Sequence, residues 1–398
     1  MLLDKILETL IVAGDLTVIC PNGLSRRYGD GDIPNVKSAV VRIRNRMTLQ
    51  KLAVHPSLAL GEAYMDGDLV VEEGGLFNFL SLCLYNIGRA RRSGRLGWPD
   101  HVSRLFRHRL MHNPLSRSQR NVAHHYDLSG QLYQLFLDDD LQYSCAYFAH
   151  PGMSLEEAQN AKKRHLAEKL LLQPGMRVLD IGSGWGGMAL FLARHYGVRV
   201  TGVTLSEEQL KTARQRVEAE GLTDSVSFEL RDYRHVEGRF DRIISVGMFE
   251  HVGVGHYPEF FRQIRRLLVE DGVAMLHSIG RSDGPGITNA WIRKYIFPGG
   301  YIPSLSEVLP HVENAGIVLT DMEILRIHYA LTLKEWRKRF ISQWDKVRDL
   351  YDETFCRMWD FYLACCEASF LYDNLMVFQV QLAKSIESVP LTRSYITS

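Results

Sequence analysis

The chain has 398 residues, 47 Lys plus Arg against 46 Asp plus Glu, and 46% hydrophobic residues. It is too long for one compact core and too ordinary in composition for a disordered or fibrous chain, so two units, or one with large additions, are expected. No run approaches the roughly 20 apolar residues of a membrane-crossing helix, and six cysteines without a Cys-x-x-Cys pair predict free thiols and no structural metal.

Leu2, Leu3, Ile6, Leu7 and Leu10 recur at helical spacing, and Asp4, Lys5 and Glu8 interrupt the apolar run, which predicts an amphipathic opening helix, no secretory leader and a cytoplasmic protein. Leu16-Thr-Val-Ile-Cys20 and Ser38-Ala-Val-Val-Arg-Ile-Arg44 read as strands and 76–87 as a helix, so residues 1–88 form a small α+β unit. From Arg89 to Arg120 there are nine Arg and no Lys against one acid, Asp100, a net +8 that the rest of the chain offsets with −7. This connector, 89–120, reads as a solvated helical surface or as a patch for the phosphates of lipid or nucleic acid.

The remaining stretch, 121–398, changes rhythm near Lys169. Arg177-Val-Leu-Asp-Ile181, then 198–203, 226–230, 239–246 and 272–279, read as strands, and helices are expected over 188–196, 206–220, 258–268 and 306–314. Strands alternating with helices predict an α/β fold, a doubly wound and mostly parallel sheet of the Rossmann-like kind, with its ligand crevice at the carboxyl ends of the strands. The Gly/Pro-rich insertion 280–305, with Trp291, Tyr295, Phe297 and Tyr301, is expected to be a lid or an acyl-tunnel wall, although core packing explains such aromatics equally well. Residues 334–373 predict two helices, and 376–382 a final edge strand.

Val178-Leu-Asp-Ile-Gly-Ser-Gly-Trp-Gly186 joins a strand to a helix through glycines that let a ligand approach the backbone. Gly182, Gly184 and Gly186 are spaced G-x-G-x-G, not the G-x-G-x-x-G of dinucleotide sites. The string resembles the first motif of class I S-adenosylmethionine (SAM) methyltransferases. Thr204-Leu-Ser-Glu-Glu-Gln209 follows the second strand, where a ribose contact is expected; Ser206 with Gln209 equally fits a helix capping box. Arg231-Asp-Tyr233 follows the third strand, where such folds meet the adenine, and Asp232 also fits a plain turn.

Three more strings complete the pattern: Leu141-Gln-Tyr-Ser-Cys-Ala-Tyr-Phe148, Val246-Gly-Met-Phe-Glu-His-Val-Gly253, and Leu276-His-Ser-Ile-Gly280 followed by Ile327-His-Tyr-Ala-Leu-Thr-Leu333. In this order they resemble the cyclopropane-fatty-acyl-phospholipid synthases and the related mycolic acid cyclopropane synthases, over nearly the whole chain. The N-terminal portion looks like the extra domain of the phospholipid-acting branch, a lipid-binding or dimerisation module.

The resemblance implies methylene transfer from SAM to the cis double bond of an unsaturated phospholipid acyl chain, with a bound bicarbonate taking the proton. It implies that Cys145 and Ile279 hold bicarbonate through main-chain N–H groups, and Glu250, His277 and Tyr329 through side chains. Cofactor contacts map onto Tyr143, Ser144, Gly182, Gly184, Thr204, Gln209, Asp232 and Tyr233, with Asp180 and Gly186 from the same strand and turn. Cys366 aligns with a cysteine once proposed as a nucleophile; its neighbour Glu367 opposes thiolate formation, so a structural role is favoured. His124 and His125 read as structural or phosphate-facing.

A soluble chain with a bilayer substrate implies peripheral docking at the inner membrane face, through Arg104, Arg107, Leu105, Phe106 and Leu110 of the basic segment. The resemblance also implies a homodimer. No nucleic acid is expected, because aromatic residues do not interleave with the basic stripe as they do in such modules. The rival within the fold is a SAM-dependent C-methyltransferase that makes methyl-branched, methylene or furan-precursor chains; the rival outside it is a non-catalytic lipid- or nucleic-acid-binding protein.

Overall fold

The computed structural model describes residues 2–93 and 130–396. Most of the basic connector, with His124 and His125, lies outside the described residues. The chain divides into two compact units.

The larger unit takes in residues 130–287, 297–329 and 376–396. Its sheet is built from β5 (Arg177–Ile181), β6 (Arg199–Thr204), β7 (Val226–Leu230), β8 (Phe240–Val246), β9 (Leu268–Arg281), β10 (Val318–Leu325) and β11 (Leu375–Ala383). The order is β10-β11-β9-β8-β5-β6-β7, with β9 through β7 parallel and β10 antiparallel to β11. Strand order reverses between β5 and β8, so the crevice opens at the carboxyl ends of these two strands and of the neighbouring β6.

Both faces of the sheet are covered, which is why the central strands read as continuous apolar runs rather than as alternations. Leu179, Ile181 and Val203 enter one core with Phe249, Phe260, Phe261 and Leu267. Val178 and Val200 enter the opposite core with Leu166, Leu190, Ala213 and Phe228. Each such side chain contributes about 1.5–3 kcal/mol on burial.

Two expectations change here. A strand at 318–325 was not expected, and it, rather than 376–382, forms the sheet edge. β11 lies inside the sheet, so its alternating Gln379 and Gln381 are not solvent-facing but fully buried.

The other unit contains residues 2–93, 288–296 and 330–375. It carries a four-stranded sheet, β2-β1-β3-β4, of β1 (Leu16–Ile19), β2 (Ser25–Tyr28), β3 (Ala39–Ile43) and β4 (Leu69–Glu73). The helix Gly75–Arg92 packs on the long helix Glu353–Tyr372. Asn86 fastens the helix Gly75–Arg92 to the segment before β1: its Oδ1 accepts from the N–H of Val12 and of Ala13, both at 3.0 Å. Three helices occupy 328–372 where two were expected: His328–Ser342, Trp344–Leu350 and Glu353–Tyr372.

The insertion is shared between the units. Its short helix Ala290–Tyr295 packs on the helix Pro56–Met65. Trp291 is buried there against Gly61 and donates to Met65 Sδ at 3.3 Å, and Tyr295 donates to Glu62 at 2.9 Å. Trp291 is core of the smaller unit, the packing alternative to a tunnel wall, and Tyr295 is half-buried beside it. Arg281 and Ser304 bridge within the larger unit.

Candidate active site

A cleft opens at the carboxyl ends of β5, β6 and β8, with about 1140 Å³ of space when the open solvent at its mouth is included. Its lining includes Tyr143, Ser144, Asp180, Gly182, Gly184, Thr204, Gln209, Asp232 and Tyr233. Of the residues expected to hold the cofactor, Gly186 alone does not line it. Gly186 sits at φ +87° under the helix Gly187–Tyr196, and a Cβ there would strike Phe228 and Ala213, so its hydrogen side chain serves helix–strand packing. Gly184, at φ +54°, has open space where its Cβ would be; the backbone is bare toward the cleft at this point.

Thr204 and Gln209 support each other. Thr204 Oγ1 donates to Gln209 Oε1 at 3.0 Å and accepts from the N–H of Ser206 at 3.2 Å. Ser206 caps the helix Glu207–Ala219 by accepting from the N–H of Gln209 at 3.3 Å. Ser206 is thus the cap, and Gln209 faces the cleft. Asp232 is no plain turn residue: it is buried, accepts from the N–H of Arg234 at 3.0 Å and is forked by that guanidinium at 2.9 and 2.7 Å. Tyr233 packs edge-on against Phe260, 5.3 Å between centroids.

The other wall, 141–144, has no secondary structure, and a polar scaffold holds it. Leu141 takes φ +56°. Asp138 accepts from the N–H of Gln142 at 2.9 Å; Asp140 pairs with Lys163 at 2.5 Å and with Arg216. From the helix Leu155–Lys169, Gln159 Nε2 donates to the carbonyls of Gln142 and Ser144 at 3.2 and 3.0 Å. Lys162 Nζ donates to Gln142 Oε1 at 2.6 Å and to Ser144 Oγ at 2.8 Å.

Lys162 is fully buried, and its partners are neutral oxygens, not carboxylates. Desolvation pulls its pKa down to about 8, against the attraction of Asp138. Across the cleft, burial pushes Asp180 up to about 7, opposed only by the positive charge of Lys162. Asp180 Oδ2 and Ser183 Oγ are buried without hydrogen-bond partners, and both residues line the cleft. Neither Lys162 nor Gln159 is flagged by the sequence: both sit in a helix whose polar residues read as a solvated face.

None of the expected reaction residues lines this cleft; Glu250, Cys145 and His277 neighbour residues that do. Glu250, in the turn Phe249–His251 after β8, stands between the lining residues Met248 and His251. Its Oε1 accepts the N–H of Ile279 at 2.6 Å, while Oε2 is buried without a partner. The Ile279 N–H is therefore engaged by Glu250 in this structure. Burial raises the Glu250 pKa; the Ile279 N–H and the Ser278 hydroxyl oppose it. Tyr301 donates its N–H to the Glu250 carbonyl at 2.9 Å, so the far arm of the insertion clips the turn in place.

His277, two residues before Ile279 on β9, is buried, and its Nδ1 meets Gln379 Nε2 at 3.1 Å. Desolvation, then the charges of Lys162 and Lys169, hold its pKa well below the usual value, so the ring is neutral. Cys145 directly follows the lining residue Ser144 and is buried; its Sγ donates to the Ala146 carbonyl at 3.3 Å. Tyr329 is buried at the start of the helix His328–Ser342, beside His328, whose Nδ1 accepts the N–H of Phe148 at 3.0 Å.

Cys366 belongs to the smaller unit, in the helix Glu353–Tyr372, and burial raises its thiol pKa well above the usual value. That opposes a nucleophilic thiolate and favours packing. His251 is assigned no role by the sequence. It lines the cleft, burial lowers its pKa to about 4, and its ring lies 6.0 Å from that of Phe297.

A parallel sheet with its antiparallel pair at one side, a glycine lip after β5 and a cleft at the strand ends define a class I SAM-dependent methyltransferase. A family model described as mycolic acid cyclopropane synthetase matches residues 114–380, and a domain of unknown function matches 2–84. The chain is 38% identical over 390 residues to the cyclopropane-fatty-acyl-phospholipid synthase of Escherichia coli (strain K12), covering 96% of this chain and 97% of that one. It is 36% identical over 358 residues to a tuberculostearic acid methyltransferase of Mycobacterium tuberculosis (84% and 81%). Among solved structures, a mycolic acid cyclopropane synthase complexed with SAH and CTAB matches with TM-score 0.64 and 34% identity, over 68% of this chain and 99% of that one. The chain belongs to the mycolic acid cyclopropane synthetase family, and it is an enzyme that uses SAM.

Proposed function

We propose that this enzyme transfers a methylene group from SAM to the cis double bond of an unsaturated phospholipid acyl chain, forming a cyclopropane, with bicarbonate as proton acceptor. The observation that carries the reading is the buried pair at the ends of β8 and β9: Glu250, with one unpartnered oxygen, and the neutral imidazole of His277, both beside the cleft. Similarity over nearly the whole chain to a synthase named for phospholipid supports the choice of substrate.

The residues present fit both small molecules. The partnerless Asp180 Oδ2 and Ser183 Oγ, with the bare backbone at Gly184, suit a cationic nucleoside with hydroxyl groups. A neutral imidazole, a buried ammonium and a carboxyl biased toward its protonated form suit a small anion. Bound there, SAM supplies an electrophilic methyl group and bicarbonate a base.

The protein's part is positional and electrostatic. An alkene is a weak nucleophile, so its alignment with the methyl and the exclusion of water must do most of the work. The buried ring of Phe249, stacked on Tyr257 at 4.4 Å, keeps the turn that carries Glu250 dry. Forming the new carbon–carbon bond would break the sulfur–methyl bond, release the thioether and leave a cation on the acyl chain; closing the ring breaks a C–H bond of the transferred carbon, uses its electron pair for the second carbon–carbon bond and releases one proton. Glu250 is placed to hold or pass it, and His277 to bind the anion beside it. A carboxyl with a raised pKa is also a poorer target for alkylation than an ordinary carboxylate.

The test is transfer of labelled methyl from SAM to vesicles of cis-unsaturated or fully saturated phosphatidylglycerol. Label is expected in the unsaturated lipid alone. Equal labelling of both, or of neither, contradicts the proposal. A second reading, transfer that ends in a methyl-branched or methylene chain, is favoured by the similarity to the tuberculostearic acid methyltransferase; it shares the first step and differs in the fate of the cation.

Among the described residues no helix is long and apolar enough to cross a membrane, and the substrate lies in the bilayer. Docking at the inner membrane face through the basic segment between Arg89 and Arg120 is part of the proposal, as are a homodimer and a lipid-binding or dimerisation role for the N-terminal unit. Each cation near an anionic surface adds about 1 kcal/mol. Replacing Arg104, Arg107 and Arg109 with Gln is expected to weaken binding to anionic vesicles at low salt; unchanged binding removes the segment from docking.

A further inference from the structure

β11 carries two amides into the interior, where an apolar strand would pack at less cost. Gln379 stands opposite Glu323 in the β10/β11 register, and both Gln379 and Gln381 are fully buried. Lys169, the last residue of the helix Leu155–Lys169, reaches this pair of strands. Its Nζ donates to Gln379 Oε1 at 2.8 Å and pairs with Glu323, and its carbonyl accepts from Gln381 Nε2 at 2.6 Å. Glu323 also accepts from His165 Nε2 at 2.6 Å.

An ammonium only donates, so the oxygen of the Gln379 side chain must face Lys169. The amide nitrogen then faces His277, 3.1 Å from Nδ1. An amide NH₂ also only donates, so His277 Nδ1 carries the lone pair, and a neutral ring must bear its proton on Nε2. Each partner along Lys169–Gln379–His277 fixes the polarity of the next.

We infer that Gln379, anchored by Lys169, is a positioning residue that holds His277 as its Nε2–H tautomer, so that His277 offers a hydrogen-bond donor to an anionic group rather than a base. The inference rests on His277 being a reaction residue, as proposed above. The charges acting on the imidazole work in the same direction: Lys162, Lys169 and His165 disfavour its protonation, and only Glu323 favours it. The proton released by ring closure therefore does not stop on His277, which leaves Glu250 and the bound anion as the groups that take it.

The test uses full-length protein with ¹⁵N-labelled histidine, observed by long-range nitrogen–proton correlation, with His277→Asn assigning the signal. The wild-type protein is expected to show the Nε2–H tautomer throughout pH 6–8. Gln379→Glu keeps the anchor to Lys169 but turns a donor into an acceptor. It is expected to move the proton to Nδ1 and lower kcat on the order of 100-fold, with SAH affinity unchanged within about twofold. Gln379→Met, which removes the anchor without adding charge, is expected to give a mixture of tautomers and a smaller loss of kcat.

An Nδ1–H signal in the wild-type protein overturns the inference, as does a flipped tautomer with wild-type kcat. If Gln379→Glu does not fold, the wild-type tautomer and Gln379→Met decide. Full turnover in His277→Asn instead overturns the role of His277 itself, a separate failure.

Discussion

The glycine lip of the cleft and the polar floor behind it solve opposite problems. The lip, Gly182 to Gly186, is backbone: one short segment whose positive φ angles leave peptide groups bare to a ligand. The floor is side chain: Lys162 and Lys169 from one helix, His277 from β9, Glu250 after β8 and Gln379 from β11, all buried. A backbone site is local, because conformation is set by neighbouring residues. A buried charged site cannot be local, because each ionic or polar group needs partners from other elements to offset its desolvation. In the proposed function the lip seats the cofactor and the floor governs which protons can move.

Substitutions should separate the two. The largest effect is expected for Glu250→Gln, with a loss of turnover on the order of 1,000-fold while SAH affinity by calorimetry stays near wild type; unaltered rates would remove Glu250 from proton handling. Lys162→Met removes the ammonium that pins Ser144 and Gln142, and SAH is expected to bind roughly tenfold more weakly, the cost of lost bonds to a charged group. Lys162 is charged only below about pH 8, so wild-type affinity should decline as pH rises through that value, and the decline should be absent in the variant. A decline that persists assigns it elsewhere.

Asp180 gives the opposite slope. With its pKa pushed up to about 7, it is neutral in acid and ionised above that value, so affinity for the sulfonium form should rise severalfold as pH increases through 7. Asp180→Asn should flatten that limb, and a slope that survives would acquit Asp180.

The smallest effects divide the lip itself. Gly186→Ala meets both a positive φ and the Phe228 ring and should cost about 1–3 kcal/mol of stability. Gly184→Ala meets no neighbour and should cost about 1 kcal/mol while weakening SAH binding. Thermal melts and calorimetry on both variants check this; equal effects on binding and stability in both would erase the distinction.

The same contrast governs what could be read from the sequence. The lip, Thr204 with Gln209, and the parallel core strands were legible because turn chemistry and apolar runs are contiguous. Gly186 misled in one respect: the motif gives three glycines, and only the structure shows that the third packs against Phe228. β10 was missed because Val318 to Leu325 is half-exposed and carries Thr320, Asp321 and Glu323, a weak apolar signal. β11 was placed at the edge because its glutamines imitate a solvent face, and the Lys169 that satisfies them lies more than 200 residues away. Trp291 stays open between tunnel wall and core in the sequence, because a sequence cannot say which unit a loop aromatic joins. Lys162 gave no signal, since a lysine on a helix is ordinarily solvated.

The fate of the transferred carbon is the most direct test of the central claim. Purified protein is incubated with cis-unsaturated phospholipid vesicles and SAM bearing a ¹³C methyl group, and the lipid is examined by NMR. The account predicts ¹³C in a ring methylene, with its protons at the upfield shifts of a cyclopropane. Label recovered only as a methyl branch or an exocyclic methylene would contradict ring closure.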